Sequence, residues 1–353
     1  MRFVMRACLA IFFASAALAA RRDCSEELGT ITAAVRNQRS AERAGLHYVS
    51  TQGPGWTTSA AARRQERIVA LGIPPSYREV RMATDPRAHI QATAVNEAGD
   101  IHYYYHPKWV EARAREKFAR LRDFAAALPA MRRASQRHLA EDGMGRNKVL
   151  ATVLELLHST AIRVGNEEYA EANGTYGLTT FLKSHASVRS GRVHFSFIGK
   201  ANKPHEVDVE DADLALVVRQ LLRQPGERLF QYVDEAGDLR SISSTDVNAY
   251  IQEISGGVFT AKDFRTYKGT TLALRLLSEA GVPNDAADAA LAVRDVLEEV
   301  SEALGNTPTV ARDNYIDPKV LDAYRKGLLE DFGRLRDPLR ALERLDALDL
   351  ASP

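Results

Sequence analysis

Apolar residues recur every three or four positions at Phe118, Leu121, Phe124, Ala125 and Leu128, the spacing of one buried helix face. A helix is therefore predicted from Trp109 to about Leu128, with Arg113, Arg115, Lys117, Arg120 and Arg122 on its other face and Pro129 as its end. Upstream, the runs are shorter and strand-like. Val80–Met82, His89–Val95 and Ile101–Tyr105 read as strands, the last two joined by a hairpin at Glu97-Ala98-Gly99-Asp100. Leu46–Ser50 reads as a short strand, Gly53-Pro54-Gly55-Trp56 as a turn, and Ala60–Leu71 as a helix stopped by Gly72 and Pro74-Pro75. Arg21–Arg39 reads as a partly helical lead-in.

Beyond the long helix, Arg146–Thr160 places Leu150, Val153, Leu154 and Leu157 on one side. Leu178–Phe181, His185–Arg189, Val193–Ile198 and His205–Val209 have strand character, with turns at Ser190-Gly191-Arg192 and Ala201-Asn202-Lys203-Pro204. Helices are predicted at Ala212–Arg223, Thr245–Ile254, Phe264–Glu279, Ala286–Leu304 and Pro318–Asp331. A last amphipathic helix spans about Pro338–Leu348. The pattern predicts an α+β protein in which a small antiparallel sheet domain, residues 40–122, precedes a mainly helical domain, residues 123–335, with a C-terminal helix and tail at 336–353.

Composition changes that picture in two places. At 353 residues, 45% hydrophobic and 26% charged, the chain can bury a real core, which excludes wholesale disorder. Cys8 and Cys24 are the only cysteines, so a disulfide scaffold or a Cys-rich zinc site is excluded. A net charge of +1 argues against a polyanionic partner until it is divided along the chain. Residues 21–122 carry 17 Lys+Arg against 11 Asp+Glu, a formal +6, whereas residues 123–353 carry 28 against 35, a formal −7. The basic part suits a polyanion. Residues 1–20 stand apart. Met1–Arg6 is basic, Ala7–Ala20 is apolar, and Ala17-Leu18-Ala19 is similar to a cleavage site, so this segment reads as a secretory signal or as the product of an upstream start.

Familiar catalytic signatures are missing from the chain. There is no Walker loop, dinucleotide fingerprint or Gly-x-Ser-x-Gly elbow, and the nine histidines include no His-Glu-x-x-His pair. What remains is a set of basic residues at element ends: Arg163 after a buried helix, Lys200 in a hairpin turn and Arg265 at a helix start. Tyr315 follows the turn Gly305-Asn306-Thr307-Pro308.

Together these stretches resemble one family. Ser159–Tyr169 and Thr175–Phe181 are similar to the first catalytic-arginine box of the short bacterial and poxvirus type IB DNA topoisomerases. Phe197-Ile198-Gly199-Lys200-Ala201-Asn202-Lys203 resembles the hairpin that carries the family's lysine. Thr260–Tyr267 resembles its second arginine box, and Leu304–Pro308 with Ala311–Pro318 resembles the stretch holding its tyrosine. In the first domain, Ala44–Ser50, Leu71–Pro75, His89–Thr93 and Tyr105-His106-Pro107-Lys108-Trp109 resemble the family's DNA clamp.

The resemblance implies a catalytic domain with a small three-stranded sheet. It also implies an enzyme that relaxes supercoiled duplex DNA through a 3′-phosphotyrosyl intermediate, without ATP, metal or other cofactor. Tyr315 takes the nucleophile's place, Arg163 and Arg265 stabilise charge on the phosphate, Lys200 is the general acid, and Asn306 stands where the family has a His or Asn donor. Planar guanidinium groups match phosphate geometry, which is why arginine suits that task. Lys262 supports the scissile phosphate, and Lys203, Tyr105, His106 and Lys108 are expected at the DNA. The implied partner is double-stranded DNA, the implied state a monomer, and the implied location the cytoplasm at the nucleoid, with export as the alternative that residues 1–20 raise. Two other readings share the catalytic plan: a tyrosine recombinase or integrase, and a non-catalytic DNA-binding protein of the same fold. A recombinase is expected to carry histidine in place of Lys262 and a four-helix arm domain in place of the first sheet.

Overall fold

The computed structural model describes residues 37–51, 56–57, 62–348 and 350. The signal-like segment 1–20, most of the lead-in and the turn at Gly53-Pro54-Gly55 lie outside the described residues. The chain divides into two compact units at Lys117/Phe118.

The first unit is built on an antiparallel sheet with the order β1 (Trp56–Thr57), β2 (Arg78–Ala83), β3 (Ile90–Val95), β4 (Ile101–Tyr105). Strand β3 lies inside the sheet and is buried along almost its whole length, whereas edge strand β4 alternates. Ile101, Tyr103 and Tyr105 point to the open face and His102 and Tyr104 are partly covered, the period-2 pattern of a half-solvated edge. Ile73, Met82, Ala92 and Ala94 form the core of this unit, under helix α1 (Ala62–Ala70). The expected strand at Leu46–Ser50 is reduced to one bridge, His47 to Ala88.

Helix α2 runs from Pro107 to Leu139, so Pro129 does not end it. A proline inside a helix removes one ladder hydrogen bond, at a cost of about 3 kcal/mol. Here the turns on either side are pinned by buried Phe124, Leu128, Met131 and Ala134, and that packing outweighs the lost bond.

The second unit has two packed halves. One surrounds α3 (Arg146–Thr160), α5 (Ala212–Arg223), α6 (Ser244–Ser255) and the three-stranded antiparallel sheet β5 (Ala186–Arg189), β6 (Arg192–Gly199), β7 (Lys203–Glu210). The other joins α8 (Ala286–Leu304), α9 (Pro308–Tyr315), α10 (Pro318–Arg325) and α11 (Pro338–Asp346). Helix α7 (Ala261–Glu279) serves both, with Ala261 and Phe264 in the first core and Ala273, Leu274 and Leu277 in the second.

Leu178–Phe181 is not a strand. Leu178–Thr180 is a single 3-10 turn, because Leu178 N and Thr179 N donate to the carbonyls of Arg163 and Val164 at 3.0 and 2.7 Å rather than to a neighbouring strand. The predicted helix Pro318–Asp331 stops at Arg325, and a separate 3-10 turn follows at Glu330–Arg334. Strand β1, helix α4 (Glu167–Asn173), the hairpin of β8 (Gln231–Val233) and β9 (Leu239–Ser241), and α9 have no counterpart in the sequence reading.

Candidate functional site

Arg163 leaves the end of α3 through Ala161, whose left-handed backbone (φ 55°) returns its N–H to Leu157 O. The next residues are gripped by the 3-10 turn. A Cβ on Gly177 would lie 2.5 Å from Arg163 O, so only glycine lets the two backbones approach this closely. The partly buried Arg163 guanidinium donates to Asn306 Oδ1 and to Gly305 O. Burial, then the neighbouring Arg265, lowers its pKa to about 10.

Arg265 stands near the start of α7, behind a cap in which Asp263 Oδ2 accepts from Thr260 N at 2.8 Å and from Thr260 Oγ1 at 3.0 Å. It is only 4% exposed. Its two terminal nitrogens donate to Ala161 O and, at 2.7 Å, to Leu304 O. Those carbonyls end α3 and α8, where the helix dipoles are negative, so two helix C-termini hold a buried cation in place of a carboxylate. Among the described residues neither guanidinium forms a salt bridge. Nε of Arg265 is buried without a partner.

Asn306 follows the left-handed cap of α8 at Gly305 (φ 60°). Its Oδ1 is taken by Arg163, its backbone carbonyl accepts from Lys203 Nζ at 2.9 Å, and its Nδ2 is buried with no partner among the described residues. An unpaired buried donor is unfavourable by about 1–3 kcal/mol unless something occupies it.

Tyr315 is the last residue of α9, whose start is capped by Thr307 with Pro308 in the first turn. Its backbone carbonyl accepts from Thr270 Oγ1 at 3.1 Å, and its ring lies 4.8 Å from the Arg265 guanidinium carbon. Gly269 allows this contact, because a Cβ there would lie 2.6 Å from Tyr315 O. Burial pushes the Tyr315 hydroxyl up, but Arg265, Arg163 and Lys262 outweigh it and hold the pKa below the ordinary tyrosine value.

Lys200 opens the one-turn link Lys200–Asn202 between β6 and β7 and is exposed. Ala201 and Asn202 both take positive φ to make that tight reversal. Lys200 lines a cavity of about 90 Å³ with Arg163, Arg265, His205 and Gly305, and Glu206 and Glu302 also reach its wall. Lys262 is exposed in the first turn of α7.

The second unit thus brings Arg163, Arg265, Asn306, Tyr315, Lys200, Lys203 and Lys262 to one locality. Tyr105, His106 and Lys108 belong to the first unit. Tyr105 stacks at 6.3 Å on Trp109 and at 6.4 Å on Tyr103, half exposed. His106 Nδ1 accepts from Lys108 N at 3.1 Å, a cap on the start of α2. Lys108 is exposed beside it.

Sequence reasoning missed three residues of the site. Gly269 had a faint signal, a glycine inside a helical pattern. Thr270 had none. His205 had only its place directly after the predicted turn Ala201-Asn202-Lys203-Pro204. Its ring stacks on Phe197 at 4.9 Å and 7°, and its Nε2 is buried without a partner. Burial, then Arg163, Arg265 and Lys203, holds its pKa below the ordinary value, so the ring is neutral at pH 7. Among the described residues no group of three or more His, Cys, Asp and Glu side chains is placed to hold a metal ion, and no helix is long and apolar enough to cross a membrane.

Residues 106–330 match the family described as eukaryotic DNA topoisomerase I, catalytic core, and residues 45–95 match the bacterial DNA topoisomerase IB N-terminal domain. The chain is 30% identical over 267 residues to the DNA topoisomerase 1B of Acanthamoeba polyphaga mimivirus, covering 74% of this chain and 80% of the viral protein. It is 24% identical over 183 residues to the DNA topoisomerase 1 of Mycosarcoma maydis and 27% identical over 143 residues to that of Candidozyma auris. Those matches cover 47% and 39% of this chain and 18% of each fungal protein.

Proposed function

The chain belongs to the type IB DNA topoisomerase family, whose members relax DNA, and on that premise we propose how its own residues do so. Tyr315 releases its hydroxyl proton to water, and the phenolate Oη attacks a backbone phosphorus and forms a 3′-phosphotyrosyl bond. The P–O5′ bond breaks, and the leaving oxygen takes a proton from Lys200 Nζ. Arg163, Arg265 and Asn306 Nδ2 hold the nonbridging oxygens, on which negative charge builds in the transition state. Religation reverses these steps. The phosphodiester energy is conserved in the covalent link, so swivelling of the cut strand needs neither ATP nor a metal.

One observation carries this assignment. Among the described residues, one buried and one partly buried guanidinium, neither ion-paired, converge with a buried amide donor that has no partner. A phosphate supplies the missing negative charge and acceptors together. The lowered Tyr315 pKa supports its place as nucleophile. Lysine at position 262 and a four-stranded sheet in the first unit both run against the recombinase alternative. Each chain carries one full set, which fits a monomer acting on double-stranded DNA at the nucleoid.

Plasmid relaxation in EDTA without ATP, followed by denaturant trapping, tests the proposal. The wild type is expected to relax the plasmid and leave a protein–DNA adduct, and Tyr315→Phe to do neither. Relaxation by Tyr315→Phe overturns the assignment.

A further inference from the structure

His205 does not figure in the steps above, yet it touches both sides of the site. Its ring is seated between two glycines. A Cβ on Gly199 would lie 2.6 Å from His205 Cδ2 and Nε2, and one on Gly305 would lie 2.0 Å from Cε1. Gly199 immediately precedes Lys200, and Gly305 immediately precedes Asn306. Phe197, directly across the β6–β7 ladder, supports the flat face of the ring. Gly305 also presents its carbonyl to Arg163. The imidazole is therefore a wedge between the strand that delivers Lys200 and the loop that delivers Asn306. Its Nε2 is buried and has no hydrogen-bond partner among the described residues.

Resting on the assignment of Lys200 as the proton donor, we infer that His205 is a positioning residue for the reaction: it sets the distance of the Lys200 hairpin from the phosphate held by Arg163 and Asn306. A five-membered ring fits between the two backbones only because both flanking residues lack a Cβ. Loss of the wedge lets the hairpin tip settle toward Gly305, and proton transfer to O5′ is the step most sensitive to that displacement. A misplacement of about 1 Å is enough to slow a reaction by roughly a hundredfold. Arg265, the most deeply buried of the groups assigned to the phosphate, is tied to Ala161 and Leu304 and keeps its place without the ring.

The test compares single-turnover cleavage of two duplexes. One has an ordinary phosphodiester at the cut site, and the other has sulfur in place of the bridging 5′-oxygen. In the second, the P–S bond breaks and the sulfur departs as a thiolate, which needs no proton from Lys200. For His205→Ala, cleavage of the ordinary duplex is expected to fall about tenfold to a hundredfold. DNA affinity should hold, and the sulfur duplex should be cut near the wild-type rate. His205→Gln, with a flat polar end in the same place, should recover part of the loss, and it carries the test if His205→Ala does not fold. Equal slowing on both duplexes, or none on the ordinary one, overturns the inference. If the wild type forms no covalent adduct with either duplex, the Tyr315 and Lys200 assignment itself fails. If the wild type forms adducts while both variants match its rates, only the role of His205 is lost.

Discussion

The two halves of the second unit contribute differently to the site. The half built on α3 and the three-stranded sheet brings Arg163 on a loop and Lys200 at an exposed hairpin tip. The half built on α8 to α10 brings Asn306 and Tyr315 at helix ends, and α7, shared by both cores, brings Arg265. The groups that must hold charge are buried or half-buried and tied to backbone, whereas the group assigned to move a proton stands in solvent. Stabilising charge calls for fixed dipoles that need no reorganisation. Delivering and recovering a proton calls for exchange with water. Arg265 is the joint, since its fork bonds the end of α3 and the end of α8 at once.

Cutting that joint should have the largest effect. Arg265→Ala is expected to slow cleavage by roughly 10²–10³-fold, the usual loss for one transition-state donor. It also leaves the Ala161 and Leu304 carbonyls unpaired, at about 1–3 kcal/mol each. Rapid-quench cleavage and urea unfolding measure the two effects. Arg265→Lys should rescue neither, because one ammonium cannot reproduce the planar fork. A lysine variant with full activity and stability would dissolve the comparison between the halves.

Asn306→Asp should separate catalysis from stability. A carboxylate beside Arg163 gives that guanidinium an ion-pair partner, so Tm should hold or rise. It also repels phosphate and removes the Nδ2 donor, so cleavage should fall by about a hundredfold. A falling Tm with unchanged cleavage would show that the pocket is not built for an anion.

Gly269→Ala probes the seat of Tyr315 on α7. The new Cβ meets Tyr315 O at 2.6 Å and Tyr315 Cβ at 3.0 Å, and relief requires backbone movement. Overpacking of this kind is unfavourable by about 1–3 kcal/mol. The cleavage rate should drop while DNA affinity is unchanged, and a change confined to affinity would contradict the contact.

The smallest effect should come from exposed Lys262. It is one of the cations that hold the Tyr315 pKa down, so Lys262→Met raises that pKa. The reactive phenolate becomes scarcer at neutral pH, and the rising limb of the pH–rate profile moves to higher pH. Salt should mask part of the shift, since an exposed charge is screened. An unchanged profile would mean that Lys262 has no electrostatic reach to the tyrosine.

Local pattern identified most of the fold. Arg146–Thr160, Ala212–Arg223 and Ala286–Leu304 match their predicted limits, because each has a clear apolar face with helix breakers or caps at its ends. The misses share a cause. Pro129 looked like a terminator until packing on both sides outweighed it. Leu178–Phe181 looked like a strand because buried runs of that length carry no period that separates strand from turn. Helix α9 was hidden behind the motif it carries, eight residues with few apolar contacts of their own.

By itself the sequence determined which residue types were available, in what order, and which helix ends and hairpin turns they occupied. Those are local matters of spacing, capping and backbone freedom. Only the tertiary structure decided that Arg265 binds two carbonyls more than a hundred residues and almost forty residues away in the chain. It alone left Asn306 Nδ2 unpaired and wedged His205 between Gly199 and Gly305. Burial and partnership arise when distant segments pack together, and a pattern read along one chain contains neither.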